Sequence, residues 1–146
     1  MTGDALAGPR ARPCSTCPYR RDVPSGLWSA EEYNRLPAYD GDTAEQAYAG
    51  AFHLFFCHKQ TGDLCAGWVG CHDMTENLAV RVNDHRVDLD AVLGYVSPVE
   101  LFESGAQAAE HGKRDIADPG PAARRRIDQL LRQRDRRTKS GDVTPP

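Results

Sequence analysis

The stretch PCSTCPYRRDVPSGLW, residues 13–28, decides how this chain folds. It places Cys14 and Cys17 in one tight turn and then adds two more prolines and a glycine, which are incompatible with a regular helix. We therefore expect an ordered loop that Tyr19, Leu27 and Trp28 attach to the core. A loop of this kind buries little apolar surface, so its order has to come from another constraint, and the cysteines are the first candidates.

The cysteine spacing predicts a metal site. Two more cysteines follow much later, so that the order is C-x2-C and then C-x7-C. Zinc takes four thiolates at tetrahedral geometry, and a CxxC turn supplies two of them, although the second pair is more widely spaced than usual. The expected ligands are Cys14, Cys17, Cys57 and Cys65. The substitutes are Cys71, His72 and His58. Structural zinc is the expected metal, and an iron–sulfur cluster is the alternative because thiolate tetrads suit both.

Three other interpretations of the cysteines are weaker. An odd number of cysteines and a short CxxC loop argue against a disulfide framework. A thioredoxin-like redox pair needs a strand before it and a helix after it, whereas Pro18 opens an irregular loop here. The run Cys71-His72-Asp73 contains the residue types of a catalytic triad, but neighbours in sequence rarely face one another. We therefore predict no catalytic residue, and we expect a metal-stabilised binding or regulatory module. The alternative is an iron–sulfur redox or sensor protein or a small metal-dependent enzyme.

Composition limits the class of protein. The chain has 146 residues and a net charge of −3, which is consistent with one domain and a tail. Residues 1–111 contain eight Lys and Arg against sixteen Asp and Glu, whereas residues 112–146 contain ten against five. An acidic body thus carries a basic tail. The chain contains no run of about eighteen apolar residues, as a membrane span requires. Its first residues contain no apolar run long enough for a signal sequence, so we expect a cytoplasmic location.

The predicted fold is α+β and mainly helical, with an irregular cysteine-rich N-terminal half, one short β-hairpin and a C-terminal basic amphipathic helix. Four segments are expected. Residues 1–12 form a disordered N-terminus, 13–112 a metal-binding globular domain, 113–137 a basic linker and helix, and 138–146 a disordered C-terminus.

Capping signals predict the helices. Helices are expected after Ser29, Asp42 and Asp73, because each of these residues is followed three positions later by a glutamate. The second of them should present Ala47, Tyr48 and Ala51 as apolar positions. The run from Ser97 to Glu100 predicts a helix that continues to about His111, since it offers a capping hydroxyl, a proline and a glutamate in favourable order.

The hairpin is predicted from an aromatic-rich segment. Residues 52–58, FHLFFCH, are typical of a strand, and the turn at 59–63 returns the chain to Cys65. A hairpin or a rubredoxin-like knuckle would bring Cys65 beside Cys57. Glycines at 67 and 70 would permit a close approach of backbones.

The last helix, from residue 122 to about 137, is expected to be basic and amphipathic. Its apolar stripe consists of Ala123, Ile127, Leu130 and Leu131. The arginines are expected to contact nucleic acid or an acidic protein, unless they fold back on the acidic body. They are Arg124, Arg125, Arg126, Arg132, Arg134, Arg136 and Arg137. The apolar stripe would also serve a homodimer.

Three blocks of the sequence carry a resemblance: CxxCPYRRDVPSG, CH at residue 57 and CAGW at residue 65. In these blocks the chain resembles a family of small uncharacterised proteins of actinobacteria and their phages, which is catalogued as a domain of unknown function. The resemblance covers roughly residues 13–80. It implies a shared cysteine site at Cys14, Cys17, Cys57 and Cys65, and it brings no reaction, substrate or partner.

Overall fold

The structure is a computed structural model, and it describes residues 6–57 and 62–139, with side chains to residue 136. Seven α-helices follow one another in these ranges. They are α1 (Ala30–Asn34), α2 (Thr43–Tyr48), α3 (Ala66–Cys71), α4 (Leu78–Val82), α5 (Leu89–Leu93), α6 (Gly105–Lys113) and α7 (Pro121–Lys139). Short 3₁₀ turns at Leu36–Tyr39, Met74–Glu76 and Asp84–Arg86 connect several of them. Within these ranges no helix is both long and apolar enough to cross a membrane.

Extended segments of the described chain pair only through isolated bridges. Phe56 pairs antiparallel with Leu64, and the bonds Cys57 N–H to Asp63 O and Cys65 N–H to Phe55 O flank that bridge. The predicted hairpin is therefore not confirmed as a pair of strands. The register nevertheless places Cys57 and Cys65 on adjacent segments.

The described part of the N-terminal segment, residues 6–12, contacts other parts of the chain. Ala7 pairs with Val87, Pro9 pairs with Leu64, and the Arg10 guanidinium donates to Cys57 Sγ at 3.6 Å. Residues 6–12 thus lie against the body.

Aromatic residues fill the core around α3. Trp68 is fully buried and stacks on Phe55 with ring centroids 6.2 Å apart, and Tyr39 meets both rings edge-on. Tyr19, also fully buried, packs edge-on against Phe55. The loop after the CxxC turn is therefore attached to the core by an aromatic side chain, as its sequence predicts.

Small residues let α6 pack closely on the N-terminal elements. A Cβ at Gly105 would overlap the Leu36 carbonyl, and a Cβ at Gly112 would overlap the Tyr33 ring. Between these glycines Ala108 and Ala109 are buried. This face of α6 therefore sits directly on α1 and the Leu36–Tyr39 turn.

Asp40 joins three parts of this structure. Its carboxylate accepts hydrogen bonds from Gly105 N–H at 2.7 Å and Ala106 N–H at 2.8 Å, at the start of α6, and from His72 Nε2 at 3.0 Å. His72 Nδ1 lies 2.8 Å from the Trp68 carbonyl. Both ring nitrogens of His72 therefore lie within hydrogen-bond distance of an oxygen.

The predicted helix at residues 98–111 is wrong in its first half. Helix α6 begins only at Gly105, where Ser104 Oγ accepts from the Gln107 amide. Upstream, Leu101 pairs antiparallel with Arg20, and Phe102 N–H donates to the Tyr19 carbonyl. Pairing with the loop after the CxxC turn therefore outcompetes a favourable local helix start.

Helix α2 confirms its capping box, but of the three predicted apolar positions only Ala51 is buried. Asp42 and Glu45 exchange both backbone-to-side-chain bonds, at 2.8 and 3.1 Å. Tyr48, however, is 96% exposed, whereas Gln46 is buried and its amide bonds to the carbonyls of Gly41 and Glu76 and to the Leu78 N–H. The side-chain amide of Gln46 thus has hydrogen-bond partners for its nitrogen and its oxygen, and it connects α2 to α4. Hydrophobic patterning does not detect a contact of this kind.

We expect Asp40 to make the protein sensitive to acid. Burial alone would raise the pKa of Asp40, but hydrogen bonds from His72 and from two α6 amides outweigh it, and the pKa lies below its ordinary value. The stabilisation is therefore present above the unfolded-state pKa of about 4 and is lost as the pH falls through the lower folded-state value. Asp40→Asn should reduce the free energy of unfolding at pH 7 by about 1–3 kcal/mol and flatten its acid dependence. Urea titrations from pH 7 downward measure both effects.

Asp128→Asn, at an exposed position of α7, is the control. Equal effects of the two substitutions would contradict this role of Asp40.

Candidate cysteine centre

Two distant cysteines meet in the core. Cys17 Sγ lies 3.7 Å from Cys65 Sγ, and the residues are 0% and 3% exposed. Cys17 closes the CxxC turn, whose Cys17 N–H donates to the Cys14 carbonyl at 3.0 Å, and Cys65 is the residue that caps the start of α3. Two thiolates that share a tetrahedral zinc ion lie about 3.8 Å apart at Zn–S distances of about 2.3 Å. The spacing of this pair therefore suits a shared metal.

Backbone N–H groups surround the Cys17 sulfur. The amides of Tyr19 and Gly67 both donate to it, and the Thr16 amide donates in the same way to Cys14. A Cβ at Gly67 would overlap the Cys17 sulfur and lie 2.8 Å from Tyr19 Cβ. The glycine therefore allows α3 to come close enough for its amide to reach the sulfur. Amides aimed at a sulfur stabilise its thiolate form, which is the form that binds metal.

Cys14 and Cys57 lie in the same buried cluster as the Cys17–Cys65 pair. They are 8% and 4% exposed, and Cys14 interacts electrostatically with both Cys17 and Cys57. Among the described residues, no three His, Cys, Asp or Glu side chains converge on one point as a metal shell requires. The arrangement thus contains one pair at ligand spacing and two further thiols nearby.

Two of these thiols, Cys14 and Cys17, have raised pKa values, which favours their neutral form. The hydrogen bond with Cys65, and then burial, raise the pKa of Cys17 well above its ordinary value, and burial followed by the charge of Cys17 raises that of Cys14. Several buried thiols cannot ionise together unless a cation compensates their charge. Four soft donors fit zinc or an iron–sulfur cluster, and they do not fit hard cations such as magnesium.

Tyr19 is a second unusual feature beside the sulfurs. Its hydroxyl is buried and has no hydrogen-bond partner among the described residues. Burial, and then the nearby charge of Cys65, raise its pKa well above the ordinary value. A buried donor without an acceptor costs roughly 1–3 kcal/mol. The sequence predicts Tyr19 as a core residue, and it offers no signal for a buried hydroxyl without a partner.

Two of the three substitute ligands, His72 and Cys71, lie within the described residues. His72 uses both ring nitrogens in its contacts with Asp40 and the Trp68 carbonyl. Cys71 is partly buried, and burial, followed by the charges of Asp40 and Cys17, raises its pKa to about 12. His58 lies outside the described residues. Asp73 caps the following turn by accepting from Thr75 N–H at 3.0 Å, so the described contacts do not assemble a Cys71–His72–Asp73 triad.

Helix α7 is seated on the CxxC turn. Ala123 is 1% exposed, and Arg126 Nη1 donates to the Ser15 carbonyl at 2.8 Å, between the two cysteines of the turn. Arg124 donates to the Pro119 carbonyl and to Asp118. Two of the seven arginines that the sequence singled out therefore hold the helix in place.

The remaining arginines lie farther along α7 or on its outer face. Arg125, Arg132 and Arg136 are exposed. At about 100° per residue they share one face, opposite the stripe of Ala123, Ile127 and Leu130. Arg134 is exposed too and lies nearer the apolar side, and the side chain of Arg137 is outside the described residues.

Fold and site together define a small helical protein that collects four buried cysteines from an irregular turn, an extended segment and a helix start. Residues 9–134 match a family described as "Family of unknown function (DUF6283)", and the chain belongs to that family. The match includes most of α7, whereas the resemblance drawn from the sequence covers roughly residues 13–80. No curated protein and no solved structure matches the chain.

We expect Gly67→Ala to disrupt this centre. Alanine favours helices over glycine by about 1 kcal/mol, so helix propensity alone would make the substitution in α3 stabilising. Overlap of the new Cβ with Cys17 Sγ should instead lower the free energy of unfolding by about 1–3 kcal/mol. Chemical denaturation measures the change. Gly120→Ala is the matched control because a Cβ there meets nothing within 4 Å. A Gly67→Ala protein as stable as the control would show that the close approach is not needed.

Proposed function

We propose that this protein is a metal-stabilised binding module, in which a structural zinc ion joins the CxxC turn, the segment at Cys57 and the start of α3. The observation that carries the proposal is the buried pair Cys17–Cys65 at 3.7 Å, with two more buried thiols in the same cluster. Cys14, Cys17, Cys57 and Cys65 would hold the ion.

The surrounding structure supports a structural rather than a catalytic centre. Closed structural zinc sites use four protein ligands, whereas catalytic sites keep one position open. All four thiols are buried, and the described residues offer no histidine beside the pair with a ring nitrogen uncommitted. A bound ion would crosslink segments that are joined otherwise by few regular backbone pairs, with a contribution to folding on the order of 10 kcal/mol.

The outer face of α7 supports the binding half of the proposal. Because Arg126 bonds to Ser15 inside the CxxC turn, order at the cysteines and the orientation of α7 are linked. Arg125, Arg132 and Arg136 then present a basic face on a protein whose body is acidic. Phosphate backbones are the partners that such a face suits, so nucleic acid is the partner we propose.

Metal content tests the first half. The protein purified anaerobically should contain one zinc per chain, no acid-labile sulfide and no visible absorption. Cys17→Ser and Cys65→Ser should each lose the metal and unfold at lower denaturant concentration. Cys71→Ser is the matched control and should keep it, because Cys71 lies outside the ligand set.

Other results would change or overturn this assignment. Iron with matching sulfide would keep the cysteine site and replace zinc by a cluster. A protein without metal, even after anaerobic incubation with zinc, would refute the metal site. Equal loss in Cys71→Ser and Cys17→Ser would refute the ligand set.

Salt-dependent binding tests the second half. Wild-type protein should bind a fluorescein-labelled DNA duplex or RNA strand at low salt, with an affinity that falls linearly in log–log coordinates as salt rises. Replacing Arg125, Arg132 and Arg136 by glutamine should reduce that slope by about one per lost phosphate contact. Fluorescence anisotropy measures it.

The control for this experiment removes three cations from the body instead. Arg12, Arg81 and Arg86 are exposed, and their replacement by glutamine changes the net charge by the same amount. Equal weakening in both triple variants would mean unspecific attraction and would contradict an α7 interface. Absence of binding at low salt would refute the nucleic-acid partner.

A further inference from the structure

A cavity lies beside the cysteine cluster. It encloses about 350 Å³ between the loop after the CxxC turn, α1 and residues 54–57. Its walls include Trp28, Tyr33, Phe55 and Phe56, and Cys57 closes one side. The volume falls within the roughly 300–1,000 Å³ range of small-molecule sites, which are mostly apolar with a few polar groups.

The aromatic walls are held in place without a ligand. Phe55 is fixed on one side by stacking on Trp68 and by edge contacts with Tyr19 and Tyr39. Trp28 Nε1 donates to the Thr16 carbonyl at 2.9 Å, which fixes the indole against the CxxC turn. A preformed aromatic cavity binds a flat ligand without the cost of ordering its own side chains.

The charged residues that line the described part of the cavity are Glu32, in α1, and Arg35, at the C-cap of that helix. The Arg35 guanidinium lies 5.4 Å from the centre of the Phe55 ring and 3.6 Å from Glu32 Oε2. The two side chains are 59% and 55% exposed, so their ion pair is long and solvated. Both residues line the cavity. A carboxylate that enters the cavity could therefore compete with Glu32 for Arg35.

Ligand chemistry follows from this arrangement. Aromatic faces favour a planar aromatic ring in stacked or edge-on contact. A guanidinium pairs best with a carboxylate, which it can hold by two parallel hydrogen bonds. We propose that this cavity is a binding site for a small aromatic carboxylate, of one or two rings, whose carboxylate pairs with Arg35. The site is separate from the basic face of α7 and does not depend on a nucleic-acid partner.

Two probes of the same shape test the proposal. The first is 2-naphthoate, and the second is 2-naphthalenemethanol, which has the same rings without the charge. Titrations of the ¹⁵N-labelled wild-type protein should show saturable binding of both. The shifted amides should cluster at Trp28, Arg35 and residues 54–57, and naphthoate should bind more tightly.

Substitutions then separate the contribution of the Arg35 charge to binding from that of the apolar walls. Arg35→Met should weaken naphthoate by about two- to fivefold and leave the alcohol unchanged. Glu32→Gln removes the competing carboxylate and should tighten naphthoate by a similar factor. Arg132→Met on α7 is the matched control, since it removes one cation that does not line the cavity, and it should change neither affinity. Leu54→Trp would fill the space and should abolish both.

The proposal has clear contrary outcomes. No saturable shift with either probe would overturn the site. Shifts spread over the surface would show unspecific adsorption and overturn it equally. Equal effects of Arg35→Met and Arg132→Met on naphthoate, or a weaker affinity in Glu32→Gln, would refute the role of Arg35 in selecting a carboxylate. Because Arg35 and Glu32 are half exposed, these variants should fold, and their melting temperatures verify it.

Discussion

The close approach of the CxxC turn to the start of α3 is the contact on which the rest of the structure depends. It joins residues 48 positions apart, and it is possible only because Gly67 has no side chain to fill the space that Cys17 Sγ occupies. Tyr19, two residues after Cys17, enters the aromatic core beside Phe55. Its backbone carbonyl in turn pairs with Phe102. One close contact thus orders a loop, a helix start and a segment from the C-terminal half.

Polar contacts extend this order where apolar burial is scarce. Asp40 caps α6 and holds His72, which follows α3, so that the two halves of the chain share one carboxylate. Gln46 connects α2 to α4 in a similar way. Such buried polar groups stabilise only when their partners are complete, and they therefore specify one arrangement of short helices that hydrophobic patterning leaves open.

The cysteine centre and the basic helix are physically continuous. Arg126 reaches the carbonyl of Ser15, and Trp28 reaches that of Thr16, so both middle residues of the CxxC turn accept hydrogen bonds from other parts of the chain. Order at the cysteines is thereby transmitted to α7 on one side and to the aromatic cavity on the other. A module built in this way presents two surfaces of different chemistry, one cationic and one aromatic, from a single rigid turn.

The amino-acid sequence by itself determined the local features: the capping box of α2, the N-cap of α1, the amphipathic α7 and the group of four cysteines. Each depends on residues within a few positions of one another or on side-chain chemistry alone. Tertiary structure decided the rest. Residues Ser97–Glu100 carry a strong helix start and yet precede a segment that pairs with the loop after Cys17, and Tyr48 is exposed while Gln46 is buried. The aromatic cavity is likewise formed by residues from segments that are distant in sequence. The physical reason is that backbone pairing, amide satisfaction and cavity shape depend on neighbours distant in sequence, and their energies exceed the few tenths of a kcal/mol by which local propensities usually differ.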